Sequence, residues 1–245
     1  MDLVHIFSNF EVNRSKLANM CKIDKKLMVQ ASAKFMMALV MIGVLLFVPA
    51  GTIHYWNAWV LISALFVPIF IAGAVMLACS PDLLRKRLNN KEKESEQRVV
   101  IALSGLMFLA SFILAGLDFR FGWTRLPSSV VWISAVVLVL SYLLYAEVMR
   151  ENAYLSRTIE VQEGQKVVDT GLYGIVRHPM YLATILLFLS MPLVLGSVWS
   201  FVVMLSYLPI INARIKNEEE VLTRDLDGYK EYKQKVAYKV IPFIW

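Results

Sequence analysis

Long apolar runs constrain this chain more than any other feature. The bilayer core accepts backbone only when every N–H and C=O is paired within the segment, so a run of about 17–25 apolar residues there must be helical. Four apolar runs, the first a little short of this length and the others within it, cover roughly 35–49, 58–79, 99–117 and 130–148, and a fifth apolar stretch extends from Met180 to Ile211. The composition agrees: 58% of the 245 residues are hydrophobic, against about 45–50% in soluble domains, and the mean hydropathy is +0.59. The expected fold class is all-α, a polytopic helical membrane protein.

The last stretch, of about 32 residues, is too long for one ordinary span. Pro192 and Gly196-Ser197 interrupt it. Two arms, near 180–195 and 198–211, would each measure roughly 21–24 Å as helix. We read a helical hairpin whose uncharged turn covers Leu193 to Trp199. Four spans plus the hairpin make about six crossings. Three regions are expected: an N-terminal cytosolic or interfacial segment at 1–32, either amphipathic on the membrane surface or a mobile tail; four spans within 33–148; and a catalytic region at 149–245 that ends in a cytosolic helix. No cleavable signal peptide is apparent.

The net charge of +6 does not point to nucleic acid. The basic residues gather in loops and tails, where the positive-inside rule and anionic lipids require them. The N-terminal tail, the 80–98 loop, the 149–178 connector and the C-terminal tail hold nearly all Lys and Arg, whereas 51–57 and 193–199 hold none. Both termini are therefore expected in the cytoplasm, in agreement with an even number of crossings. Cys21 and Cys79 have no metal or redox spacing, and Cys79 reads as a packing residue. His5 and His54 are isolated. No Gly-rich nucleotide loop follows a strand, so no Rossmann domain is expected, and no His-Glu-x-x-His or Cys cluster suggests a metal.

The stretch Gly171-Leu-Tyr-Gly-Ile-Val-Arg-His-Pro-Met-Tyr181 stands at the entrance to the hairpin. Proline suits the first position of a helix, so Pro179 is expected to open arm one with Arg177 and His178 at its mouth. The free N–H groups there favour anions. One reading is an interfacial anchor, since Arg, His and Tyr are common at membrane boundaries. The other follows from the hairpin: antiparallel arms return Asn212, Arg214, Glu218, Glu219 and Glu220 to the same side. Three consecutive glutamates cannot share one helix face, so at least one points inward and one outward. Glu219 is favoured over Glu218 for the pocket because Arg214 and Glu218 stand at i,i+4 spacing. A pocket of this kind suits a ligand with a carboxylate and a vicinal diol. S-adenosylmethionine has both, and its sulfonium favours a carboxylate or an aromatic face. These residues fit that ligand without singling it out.

The same stretch resembles the Gly-x-Tyr-x-x-x-Arg-His-Pro-x-Tyr signature of the isoprenylcysteine carboxyl methyltransferase family, which has bacterial, archaeal and phospholipid N-methyltransferase relatives. The likeness continues through Arg214-Ile-Lys-Asn-Glu-Glu-Glu-Val-Leu222, Asp227-Gly-Tyr-Lys-Glu-Tyr232 and Tyr238-Lys-Val-Ile-Pro242, and covers roughly 145–245. Pro81-Asp-Leu-Leu-Arg-Lys-Arg87 is similar, less specifically, to a loop of some members. The resemblance implies an integral membrane methyltransferase with S-adenosylmethionine as cofactor. It implies cofactor binding by Tyr173, Arg177, His178, Pro179, Tyr181, Glu218 and Glu219; of these, we expect Arg177 and Glu219 to be catalytic. The acceptor is expected to be amphipathic or membrane-soluble, carrying a carboxylate, thiol or amine. Arg150 and Arg157 are candidates to hold an anionic acceptor and equally to bind lipid phosphate. Sterol reductases share part of the Arg-His-Pro-x-Tyr pattern, so an NADPH-dependent membrane reductase is the alternative, although those enzymes are generally longer. A non-enzymatic scaffold or transporter subunit is the third reading.

Overall fold

A computed structural model describes residues 24–88, 95–152, 154–155 and 161–245. Cys21, His5, Arg157 and most of the expected N-terminal segment lie outside the described residues. Helices follow in the order α1 (Lys25–Ala50), α2 (Trp56–Cys79), α3 (Pro81–Leu88), α4 (Ser95–Phe121), α5 (Ser128–Glu151), a 3-10 turn (Gly171–Gly174), α6 (Pro179–Val194), α7 (Val198–Met204), α8 (Tyr207–Asp225) and α9 (Tyr229–Lys235). No strand occurs among the described residues. Helices α1, α2, α4, α5 and the α7–α8 arm are long and apolar enough to cross a membrane, and α6 is a shorter apolar helix. The chain is an all-helical, polytopic membrane protein.

The helices overrun the apolar runs because polar helix formers extend them past the hydrocarbon boundary. Helix α1 starts at Lys25, about ten residues before its apolar run. Asp24 caps it, accepting from the N–H of Lys26 (3.0 Å) and Leu27 (3.2 Å). Cys79 is exposed at the end of α2, not packed inside as its apolar flank suggests. A residue at a span end that faces lipid needs no protein neighbour.

Two compact units divide the chain, one within 1–38 and 69–89 and the other comprising 39–68 and 90–245. In the first, Arg85 pairs with Asp24 (2.6 Å) and Asp82 (2.8 Å), and Lys34 Nζ donates to the Leu88 carbonyl at 2.5 Å. The second holds α4 to α9. There α6 packs most extensively against α5, and α4 against α7.

The expected hairpin is present, with its bends placed differently. Helix α6 runs through Pro192 to Val194. The reversal falls on Gly196, whose φ of +77° lies in the left-handed region that glycine tolerates. A polar network pins this turn. Tyr55 Oη donates to the Leu195 carbonyl (2.6 Å) and Asn57 Nδ2 to that of Val194 (3.0 Å). Asp118, fully buried, accepts from the Thr124 N–H (2.7 Å), the Thr124 hydroxyl (2.5 Å) and the Ser197 hydroxyl. Ser197 in turn caps α7 by accepting from the N–H of Ser200 at 3.1 Å. The return arm is not one continuous helix. It breaks at Leu205-Ser206, four residues before Pro209, which has no N–H for the Leu205 carbonyl and whose ring crowds it. Beyond the break the arms stay antiparallel: Tyr207 Oη donates to Thr184 Oγ1 at 2.8 Å, and the rings of Phe188 and Tyr207 meet edge-on at 4.8 Å.

Candidate functional site

The site forms where α6 begins and α8 leaves the hairpin. The connector reaches it first. At Gly171 the chain turns with φ +57°. A Cβ there would collide with the Glu151 carboxylate, which accepts from the Leu172 N–H at 2.9 Å. Glycine is thus required twice over at this position, by backbone sign and by contact. The 3-10 turn that follows buries Tyr173, whose hydroxyl accepts from Asn152 Nδ2 at 3.1 Å. Burial, reinforced by the nearby Glu218 and Glu151 charges and opposed by the Asn152 bond, pushes the Tyr173 pKa up to about 12.

Arg177 and His178 are then held by the backbone at the entrance to α6. Their N–H groups donate to the carbonyls of Tyr238 (2.9 Å) and Lys239 (2.8 Å), so the C-terminal tail lies along the entrance to α6. Pro179 occupies the first helical position, as its missing N–H permits.

The distant segments expected to meet do meet. Arg177 Nε donates to Glu219 Oε1 at 2.8 Å, and His178 Nε2 lies 3.2 Å from the same oxygen. A carboxylate oxygen only accepts, so Nε2 carries a proton. Lys233 Nζ stands 3.5 Å from Glu219 Oε2. The guanidinium of Arg177 also donates to the carbonyls of Val236 (2.7 Å) and Ala237 (2.9 Å). Arg177, His178 and Glu219 are all buried. Together they knot α6, α8, α9 and the C-terminal tail. Glu220 faces outward and Glu218 is half-buried, so the three glutamates split by face as helix geometry demands.

The cleft opens beside this knot. Asn152, Tyr173, Arg177, His178, Tyr181, Arg214 and Glu218 line its polar part. Val167, Leu222, Leu226, Tyr229 and Tyr232 also line the cleft, as do Gln165 and Lys166 of the connector. Its enclosed part measures about 90 Å³, and the space between its walls, including the open mouth, about 820 Å³. Glu218, not Glu219, is the glutamate on its wall. Tyr181 Oη donates to Glu218 Oε2 and accepts from Arg214 Nε at 3.1 Å. This places Arg214, Tyr181 and Glu218 in one polar row across the two arms. Asn212, expected to return with this group, is exposed and borders a separate apolar groove with Leu208 and Trp245. Arg150 pairs with Glu147 at 2.5 Å on the exposed end of α5.

Three participants were not foreseen from sequence. Asn152 positions Tyr173. Lys233 adds a second cation to Glu219. Tyr229 is buried in the cleft wall, and its hydroxyl has no hydrogen-bond partner among the described residues. Only Tyr229 carried a signal, its place in the Asp227-Gly-Tyr motif.

The model of the phospholipid methyltransferase family matches residues 126–228, which include α5, the connector, the hairpin and all of α8. The mouse (Mus musculus) Delta(14)-sterol reductase TM7SF2 is 26% identical over 91 residues, 36% of this chain and 22% of that protein. The chain thus spans about a fifth of the length of that curated relative. The C-terminal part of this membrane protein, where the site lies, is the part similar to the phospholipid methyltransferases.

Proposed function

We propose that this chain is an integral membrane methyltransferase of the isoprenylcysteine carboxyl methyltransferase type, which transfers a methyl group from S-adenosylmethionine to an amphipathic or membrane-soluble acceptor. The observation that carries this reading is the row Arg214–Tyr181–Glu218 on the wall of a cleft at the membrane-helix mouth. A cation, a hydroxyl and a carboxylate in one row match a ligand with a carboxylate, an ammonium and a diol. The enclosed part, about 90 Å³, is below the usual range of about 300–1,000 Å³ for small-molecule pockets, so such a ligand would occupy the open cleft. The family match over 126–228 supports the same chemistry.

When bound, the cofactor supplies an electrophilic methyl on a positive sulfur. The acceptor lone pair forms the bond to the methyl carbon as the carbon–sulfur bond breaks, and that electron pair stays on the now neutral sulfur. The residues of this chain orient the partners. Arg214 suits the donor's carboxylate, and Glu218 suits its ammonium or ribose hydroxyls. The Arg177–Glu219–His178 knot holds the mouth of α6 rigid, and rigidity of this kind is what makes alignment effective in a displacement. A carboxylate or thiolate acceptor needs no base, whereas an amine or thiol must first lose a proton, for which Glu218 is at hand.

The sterol reductase relative favours a second reading, a reductase that binds NADPH at the same cleft. Titration of the purified protein with S-adenosylhomocysteine and with NADPH separates the two. The methyltransferase reading expects saturable binding of the first alone. Binding of NADPH alone refutes it, and binding of neither favours a scaffold or transporter subunit.

A further inference from the structure

After α9 the chain turns back onto the hairpin. Val240 is fully buried in one core cluster with Ile185, Tyr207 and Ile211, and Ile241 and Trp245 pack on that cluster. Ile241, Ile244 and Trp245 share a groove of about 400 Å³ with Ile185, Leu208 and Pro209, and Asn212 is its one polar member. Ile185 stands six positions past Pro179 on α6, about 9 Å further along the helix. Leu208 precedes Glu218 by ten positions on α8, about 15 Å. The tail therefore reaches back past the level of the cleft, alongside the apolar arms. At its tip Phe243 and Ile244 are 86% and 80% exposed. Phe243 is also the one non-glycine among the described residues with a positive φ, +65°, a conformation that costs a bulky residue free energy. Two apolar side chains shown to water on such a turn offer nothing against that cost, whereas shown to lipid they do. The turn also hides its own donors, as an apolar medium demands. The N–H groups of Val240 and Ile241 donate to the Trp245 carbonyl (both 2.9 Å), those of Ile244 and Trp245 to the Ile241 carbonyl (3.2 and 3.0 Å), and Pro242 has none. Tyr238, whose ring lies 5.2 Å from that of Phe243, and Trp245 are residue types that membrane boundaries favour.

We propose that the Phe243–Ile244 tip is a membrane wedge, inserted between lipids at the headgroup–acyl boundary on the side where α6 begins, with acyl chains in the groove beside it. The wedge fastens the tail whose Tyr238 and Lys239 carbonyls hold the N–H groups of Arg177 and His178. The bilayer itself thereby braces the entrance to α6, whatever reaction the chain performs.

The test places an environment-sensitive fluorophore on Ile244→Cys in the full-length protein without Cys21 and Cys79, held in phosphatidylcholine nanodiscs. Lys230→Cys, exposed on α9, is the reference. Lipids with a nitroxide near the carbonyl end of the acyl chain should quench most of the fluorescence at Ile244→Cys and little at Lys230→Cys, and aqueous iodide should do the reverse. A label that iodide reaches as readily at both positions overturns the wedge. So does a label at Ile244→Cys that is shielded from iodide yet untouched by nitroxide lipid, because protein then covers the tip. The bracing is read by amide hydrogen exchange in the same nanodiscs. Phe243→Ser combined with Ile244→Ser, both at exposed positions, should speed exchange at Arg177 and His178 and leave α5 as in the wild type. Unchanged exchange at the entrance, or exchange raised equally in α5, overturns it.

Discussion

Glu219→Gln should destabilise the protein more than it weakens ligand binding. Glu219 accepts from Arg177 at 2.8 Å and meets His178 at 3.2 Å. The Arg177 and Glu219 side chains are 6% and 8% exposed, so water screens this pair little. Breaking a buried ion pair from one side costs about 3–5 kcal/mol, because the remaining charge is stranded. The amide still offers one oxygen to Arg177 Nε, which places the expected loss near the lower end, about 3 kcal/mol. Lys233, 37% exposed and 3.5 Å away, adds little. At about 2–4 °C per kcal/mol for a chain of this size, the melting temperature in detergent should fall by roughly 6–12 °C. Fluorescence-detected size-exclusion chromatography after heating measures this. Glu218→Gln, on the cleft wall, should do the reverse. It should melt near wild type and lose S-adenosylhomocysteine affinity by about ten- to a hundredfold, the worth of a hydrogen bond to a charged group. Glu220→Gln, facing outward, should change neither. The reasoning is refuted if Glu219→Gln melts like wild type and loses only ligand affinity, since Glu219 would then serve the ligand and not the knot.

The hairpin turn offers an independent check: Asp118→Ala strands the Thr124 and Ser197 donors, so it should lower stability by about 1–3 kcal/mol per orphaned group without altering the affinity of surviving protein for S-adenosylhomocysteine. Topology is open to labelling in a background lacking Cys21 and Cys79. Single cysteines at Trp199 and Lys230, both exposed, should react from opposite sides of the membrane, with Lys230 cytoplasmic by the positive-inside rule; same-side labelling removes the hairpin. Acceptors with a fixed head and growing alkyl chain should bind more tightly by about 0.8 kcal/mol per buried methylene, and a short soluble acceptor used equally well argues against entry from the bilayer. The Lys235 ammonium, 2.7 Å from Asp169, holds that carboxyl below its ordinary value of 3.8. A depressed pKa stabilises the fold above the unfolded value and loses that effect as pH falls through the folded one, so Lys235→Met should flatten the stability profile below about pH 4; an unchanged acid limb contradicts the pairing.

The sequence by itself determined that the chain crosses a membrane as helices, because charge-free runs of that length have no other stable state in a bilayer or in water. It also determined the hairpin and the meeting of Arg177 and His178 with the glutamates, since an uncharged turn in a stretch too long for one span forces its ends to one side. Helical periodicity required the three glutamates to diverge. What it left open was which of them takes which partner. That depends on the rotation of α8 about its axis, set by the break that Pro209 imposes and by the packing of Tyr207, Ile211 and Ile215 into the α6 side of the core. Only the tertiary structure gave Glu219 to Arg177 and Glu218 to the cleft. The same holds for Asp118, Lys233 and Tyr229. Asp118 meets Ser197 from the far hairpin turn, Lys233 meets Glu219 across the α8–α9 turn, and no helical periodicity records a contact that folding alone creates.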